Sequence, residues 1–153
     1  MVMTETDPIR LFVTHLYMPD ESYFRVFEYL ESQPNFFYKN VANPEQLPRS
    51  KEKEAIREDL RRQMTEAEVI VVLSSMYLRD QSTIEFQCRY AKSCDKPLVV
   101  LEPFGTNEPV PPKLREFADE VVPWNGREMA DAIRRQARHE DTTRWDVIEF
   151  KLD

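Results

Sequence analysis

The chain has 153 residues, enough for one domain with a sizeable core and short for two. Its 28 acidic and 21 basic side chains give a formal charge of -7, which excludes general electrostatic attraction to nucleic acid or an anionic membrane. Two glycines, Gly105 and Gly126, cannot furnish a glycine-rich phosphate cradle. His15 and His139 stand far apart with no CxxC or HExxH nearby, so no metal is expected.

The opening MVMTETDPIR lacks an apolar leader core, and no stretch reaches the length of a membrane-spanning helix; a soluble, cytoplasmic protein is expected. Residues 9–14, IRLFVT, read as the first strand. Tyr23, Phe24, Phe27 and Leu30 then recur at helical spacing, and FFYKNV at 36–41 reads as a weaker strand. A Pro-containing loop, ANPEQLPRS at 42–50, precedes a helix striped by Ile56, Leu60 and Met64. The alternating charges of SKEKEAIREDLRR on that helix read as a solvated face, with no chemistry assigned.

EVIVVLS at 68–74 is the most apolar strand, and a helix beginning near Gln81–Ser82 carries Ile84, Cys88 and Ala91 on one stripe. Cys88 and Cys94 fall on different faces of it, which argues for free thiols and a reducing compartment. PLVVLE at 97–102 is a fourth strand, PFGTNEPVPP at 103–112 a loop, EVVPW at 120–124 a fifth strand, and Met129, Ile133 and Ala137 mark the last helix. Continuous β-branched runs alternating with helices predict a doubly wound, flavodoxin-like α/β fold, a parallel sheet of strand order 2-1-3-4-5. One domain is expected over residues 1–139; RWDVIEFKLD, within 140–153, is an added edge strand or a tail.

In that order the ligand crevice lies outside the ends of the first and third strands. It brings Thr14 and His15 opposite Ser74 and Ser75, with Glu85 in the first turn of the following helix. Structural readings stand beside this one. Ser82-x-x-Glu85 is a capping box, and Glu85 stands four residues before Arg89, a favourable ion-pair spacing. His15 also suits a polar strand end, and Ser74 and Ser75 suit strand-exit caps. Tyr17 and Tyr77 either stack on a ligand ring or cover the core edge; Arg79 and Arg89 either pair a pyrophosphate or decorate the surface.

RLFVTHLYMPDESYF, followed by IREDLRRQMTEAEVIVVLSSMYLRDQSTIEFQCRYAKSCDKPLVVLEPFG, resembles the TIR-like family, particularly the small bacterial TIR-like proteins of Thoeris-type antiphage systems. Thr14, His15, Asp20, Ser74, Tyr77, Glu85 and Lys96–Pro97 carry the resemblance, across roughly residues 10–105. The family commonly has an aromatic residue a few positions before the glutamate, where this chain reads RDQSTIE.

The resemblance implies a TIR-like three-layer sandwich that cleaves the nicotinamide–ribose bond of NAD, by hydrolysis or cyclisation. Glu85 is then catalytic, and Thr14, His15, Ser74, Ser75 and Tyr77 surround the substrate. NAD serves as substrate and no separate cofactor is expected. It further implies a homo-oligomer, an effector protein reached through a nucleotide product, and a lid or self-association role for loop 42–50. Two other classes remain: a TIR-like interaction module without activity, and an enzyme akin to nucleoside deoxyribosyltransferases. A receiver domain fits less well, because no paired acidic residues follow the first strand.

Overall fold

A computed structural model describes residues 3–142. The elements run β1 (Ile9–Val13), α1 (Glu21–Glu31), β2 (Tyr38–Asn40), α2 (Lys53–Met64), β3 (Val69–Leu73), α3 (Ser74–Tyr77), α4 (Gln81–Ser93), β4 (Leu98–Leu101), α5 (Pro112–Phe117), β5 (Glu120–Val122) and α6 (Gly126–Arg138). The five strands form one parallel sheet in the order β2-β1-β3-β4-β5, as the βα alternation predicts. The C-terminal alternation at 144–153 lies outside the described residues.

The apolar runs explain the register. Every residue of β3 and β4 is buried, and Val13, Val71 and Val99 pair across β1, β3 and β4. Burial on both faces is what a parallel sheet covered by helices requires. Helices α1 and α6 pack together on one side, while α2, α4 and α5 are in contact along the other. Gly126 opens α6 because an added Cβ would lie 2.9 Å from the Tyr29 carbonyl of α1. On α1 the buried stripe is Tyr23, Val26 and Leu30, and Phe24, read as part of that stripe, is exposed.

Two short helices were not expected. α3 follows β3 without a breaker residue, and α5 begins at Pro112, inside what reads as a loop, burying Leu114. Proline suits the first turn of a helix, where its missing N–H is not needed.

At the N-terminal end of the sheet, the buried Arg138 donates to Glu68 at 3.0 Å, to Asp7 at 3.1 Å and to the Pro8 carbonyl at 3.1 Å. Burial works against ionisation of Glu68, yet the bonds from Arg138 and Arg10 prevail and hold its pKa below the ordinary carboxylate value. This network ties the last helix to the first strand at the end opposite the ligand crevice.

Candidate active site

At the C-terminal ends of β1 and β3 the crevice is filled by polar side chains whose bonds are engaged. The Thr14 hydroxyl accepts from the Leu73 N–H at 3.1 Å, standing in for a carbonyl where the ladder ends. Ser74 donates its hydroxyl to the Leu101 carbonyl at 2.5 Å, joining the start of α3 to the end of β4. His15 is fully buried, and Gln87 of α4 clamps its backbone: the His15 N–H donates to Oε1 at 3.3 Å, and Nε2 donates to the His15 carbonyl at 2.9 Å.

The imidazole is equally fixed. The Tyr17 N–H donates to Nδ1 at 3.2 Å, so Nε2 carries the proton and donates to Gln63 Oε1 at 2.9 Å. Burial lowers the His15 pKa to about 4, outweighing the opposing pull of the Gln63 bond and the Asp59 charge. Tyr17 itself adopts a left-handed backbone (φ 58°) and donates its hydroxyl to Asp59. Gln63, Gln87 and Asp59 were not singled out by the sequence pattern; Gln87 occupies the position of an apolar residue on the buried stripe of α4, which is the signal available in the sequence.

Glu85 points elsewhere. Ile84, Gln87, Cys88 and Ala91 form the inward stripe of α4, and at 3.6 residues per turn Glu85 falls at its margin, turned from the sheet. The predicted capping box is not formed. Asp80 is the N-cap instead, its carboxylate accepting from the Thr83 N–H at 3.1 Å and the Thr83 hydroxyl at 2.7 Å. Asp caps a helix as well as Ser does, and the chain reaches Asp80 first.

Glu85 is therefore disengaged from the backbone. Its Oε1 accepts from the Tyr77 hydroxyl at 3.0 Å, and its Oε2 lies 4.0 Å from Arg89. Burial, and then this bond to a carboxylate, raise the Tyr77 pKa. The Glu85 side chain, 26% exposed, lines an open groove of about 440 Å³ with Arg57, Gln81, Ser82, Phe86 and Arg89.

Of the residues read as one site, the structure brings Glu85 and Tyr77 into contact and leaves Thr14, His15 and Ser74 in the filled crevice. Ser75 is half-buried on α3. A second cavity, of about 490 Å³, opens beside the ends of β1 and β2 between Tyr17, Met18, Tyr23, Phe24 and loop residues 42–45 and 47. Arg79 is bonded to Asp20 at 2.7 Å. Among the described residues no cluster of three metal-ligating side chains occurs, and no helix is long and apolar enough to cross a membrane.

A family model described as Thoeris protein ThsB, TIR-like domain, matches residues 12–108, well over half of the chain. The chain belongs to that family. The match runs from the last residues of β1 to the loop after β4, and so includes Thr14, His15, Ser74, Tyr77 and Glu85. Membership in this TIR-like family of the Thoeris antiphage type agrees with the parallel sheet and its strand order. No curated protein matches the chain closely enough for comparison.

Proposed function

We propose that this protein cleaves the nicotinamide–ribose bond of NAD with Glu85 as the catalytic carboxylate, and that the nucleotide product signals in antiphage defence. The observation that carries this reading is the state of Glu85. Asp80 performs the capping, so the glutamate is held by a phenol at the edge of an open groove rather than tied to the helix backbone.

The chemistry suits a single acid. Nicotinamide leaves as a neutral molecule with the bonding electron pair, so the leaving group needs no protonation. The ribose anomeric carbon is left with oxocarbenium character. A carboxylate beside it stabilises that charge, as in glycoside hydrolysis. Water then adds to the anomeric carbon and releases its proton to Glu85 and solvent, giving ADP-ribose; attack by a nucleophile of the same ADP-ribose gives a cyclic product and the same proton.

Incubating the full chain with NAD, alone and in lysate of phage-infected cells, and resolving nicotinamide, ADP-ribose and cyclic products tests the reading. Glu85→Gln keeps an acceptor for Tyr77 and is expected to leave the melting temperature unchanged. NAD turnover should fall about a thousandfold, equivalent to about 4 kcal/mol of barrier. Turnover by that variant equal to wild type would remove Glu85 from the chemistry.

A second reading, an assembly module without activity, draws on the exposed Met18, Phe24 and Leu47 around the β1–β2 cavity. It predicts concentration-dependent oligomers and signalling that survive Glu85→Gln.

A further inference from the structure

Arg57 and Phe86 belong to none of the roles assigned above. Helices α2 and α4 pack side by side, and two openings between them, of about 270 and about 440 Å³, share Arg57, Ser82 and Phe86 in their linings. The smaller adds Lys51 and Lys53, the larger Glu85 and Arg89. Cations thus outnumber carboxylates along this groove, in a chain whose net charge is -7. Of its two acidic side chains, Asp80 is engaged as the α4 cap and Glu85 faces the larger opening.

Arg57 is held in an unusual manner. Its guanidinium lies over the Phe86 ring, 5.0 Å from the centroid, and Phe86 is stacked on Tyr90 at 6.2 Å with the rings 14° apart. Attraction to a ring face fixes a guanidinium without consuming its N–H donors. Arg61 lies 5.2 Å over the same ring but donates to Glu54 at 3.0 Å, whereas Arg57 forms no ion pair among the described residues. The result is a positioned, un-neutralised guanidinium in the same opening as Glu85.

We propose that the α2–α4 groove binds the diphosphate of a dinucleotide, with Arg57 as its principal ligand and Phe86 as the residue that positions Arg57. The guanidinium presents paired donors to phosphate oxygens, and Lys53 and Lys51 extend the positive lining. A diphosphate held there delivers its attached ribose to Glu85 from the α2 side. The placement of the ribose rests on the NAD-cleavage reading; the diphosphate site rests on the groove alone.

Titration calorimetry of the full chain with ADP, and with adenosine as the control lacking phosphate, tests the site. ADP is expected to bind at least about tenfold tighter than adenosine and to weaken as salt rises. Arg57→Ala should weaken ADP about tenfold, the scale of one lost charge-assisted contact at a half-exposed position, while Arg61→Ala changes it less than about twofold. Alanine suits a helix interior, so both variants should fold. Phe86→Leu should weaken ADP in the wild-type background but not beyond Arg57→Ala, and Phe86→Trp should restore it.

Absence of saturable binding at millimolar ADP, equal affinity for adenosine, or an unaffected Arg57→Ala variant each overturns the proposal. NAD turnover separates it from the functional reading. Arg57-dependent ADP binding by a protein that never cleaves NAD keeps this site and discards that reading. NAD cleavage by Arg57→Ala at the wild-type KM does the reverse.

Discussion

Gln87 and Glu85 stand two residues apart on α4, and the regions they face are opposites. Inside, at the ends of β1 and β3, Gln87 is fully buried and the side chains of Thr14, His15 and Ser74 each bond to protein. Outside, against α2, Glu85 is partly exposed with one phenol and one distant guanidinium for company, and Arg57 beside it forms no ion pair among the described residues. A crevice at the topological switch point is where a ligand is expected in this class of fold. Here protein groups already meet one another's bonding needs in that crevice, and unsatisfied charge is found one helix face away. Position in the fold and capacity to bind are separate properties, and the second is decided by which polar atoms lack partners.

The strongest way to break this comparison is Gln87→Ala. Truncation orphans the buried N–H and carbonyl of His15, each worth about 1–3 kcal/mol when left unpaired. A loss of about 3 kcal/mol is expected in urea unfolding, read as a lower midpoint at unchanged m. A loss below about 1 kcal/mol would mean that water replaces the amide easily. The inner crevice would then be accessible, and the contrast with the outer groove would fail.

His15 supplies a smaller effect with a defined pH window. In the unfolded chain it protonates near its ordinary value of 6.5, whereas in the folded protein burial holds it neutral down to about 4. Between those values the unfolded state binds more protons, so stability is complete above about pH 6.5 and is lost as pH falls through the window. From pH 7 to pH 5 the loss is about 2 kcal/mol. Glu68 and Glu120 have pKa values lowered from 4.5 by their arginine partners, so their contributions are lost only at more acid pH. His15→Asn, which keeps an acceptor for the Tyr17 N–H, should flatten unfolding free energy between pH 7 and 5. An unchanged slope in that variant would assign the titration to another group.

What was legible in the sequence follows from where each signal resides. β3 and β4 are continuous apolar runs buried on both faces, and β1 is apolar apart from the exposed Arg10, so the parallel sheet is a local consequence of composition; its strand order follows from the βα alternation of the fold class. β2 is three residues long and was visible only as a weaker run, while α3 and α5 are too short for periodicity to declare them. Glu85 stood out by its place after β3. Its freedom from capping did not, because Asp80-x-x-Thr83 and Ser82-x-x-Glu85 both have cap spacing, and only backbone geometry selects between them. Arg57 and Phe86 were invisible for a further reason. The alternating charges of α2 read as a solvated face, and it takes the packing of α2 on α4 to set one of those cations over a ring beside a carboxylate. Gln87 carries no sequence signal of its role beyond its place on an apolar stripe, because a glutamine there has its meaning in the partner it meets, here the backbone of His15.

Ser74→Ala gives the smallest effect and sharpens the comparison from the inner side. Ser74 is 2% exposed and its hydroxyl donates to the Leu101 carbonyl at 2.5 Å, a bond whose loss should cost about 1 kcal/mol. In a domain of this size that corresponds to a melting temperature lower by about 2–6 °C in a scanning experiment. If the hydroxyl serves only the junction between α3 and β4, and NAD is the substrate as proposed, KM for NAD should stay within about twofold of wild type, because a group that touches no substrate changes no ground-state binding. A raised KM at unchanged melting temperature would show instead that Ser74 exchanges its carbonyl partner for a substrate hydroxyl during turnover. The filled crevice would then have to open toward Glu85, and the two faces of α4 would form one site.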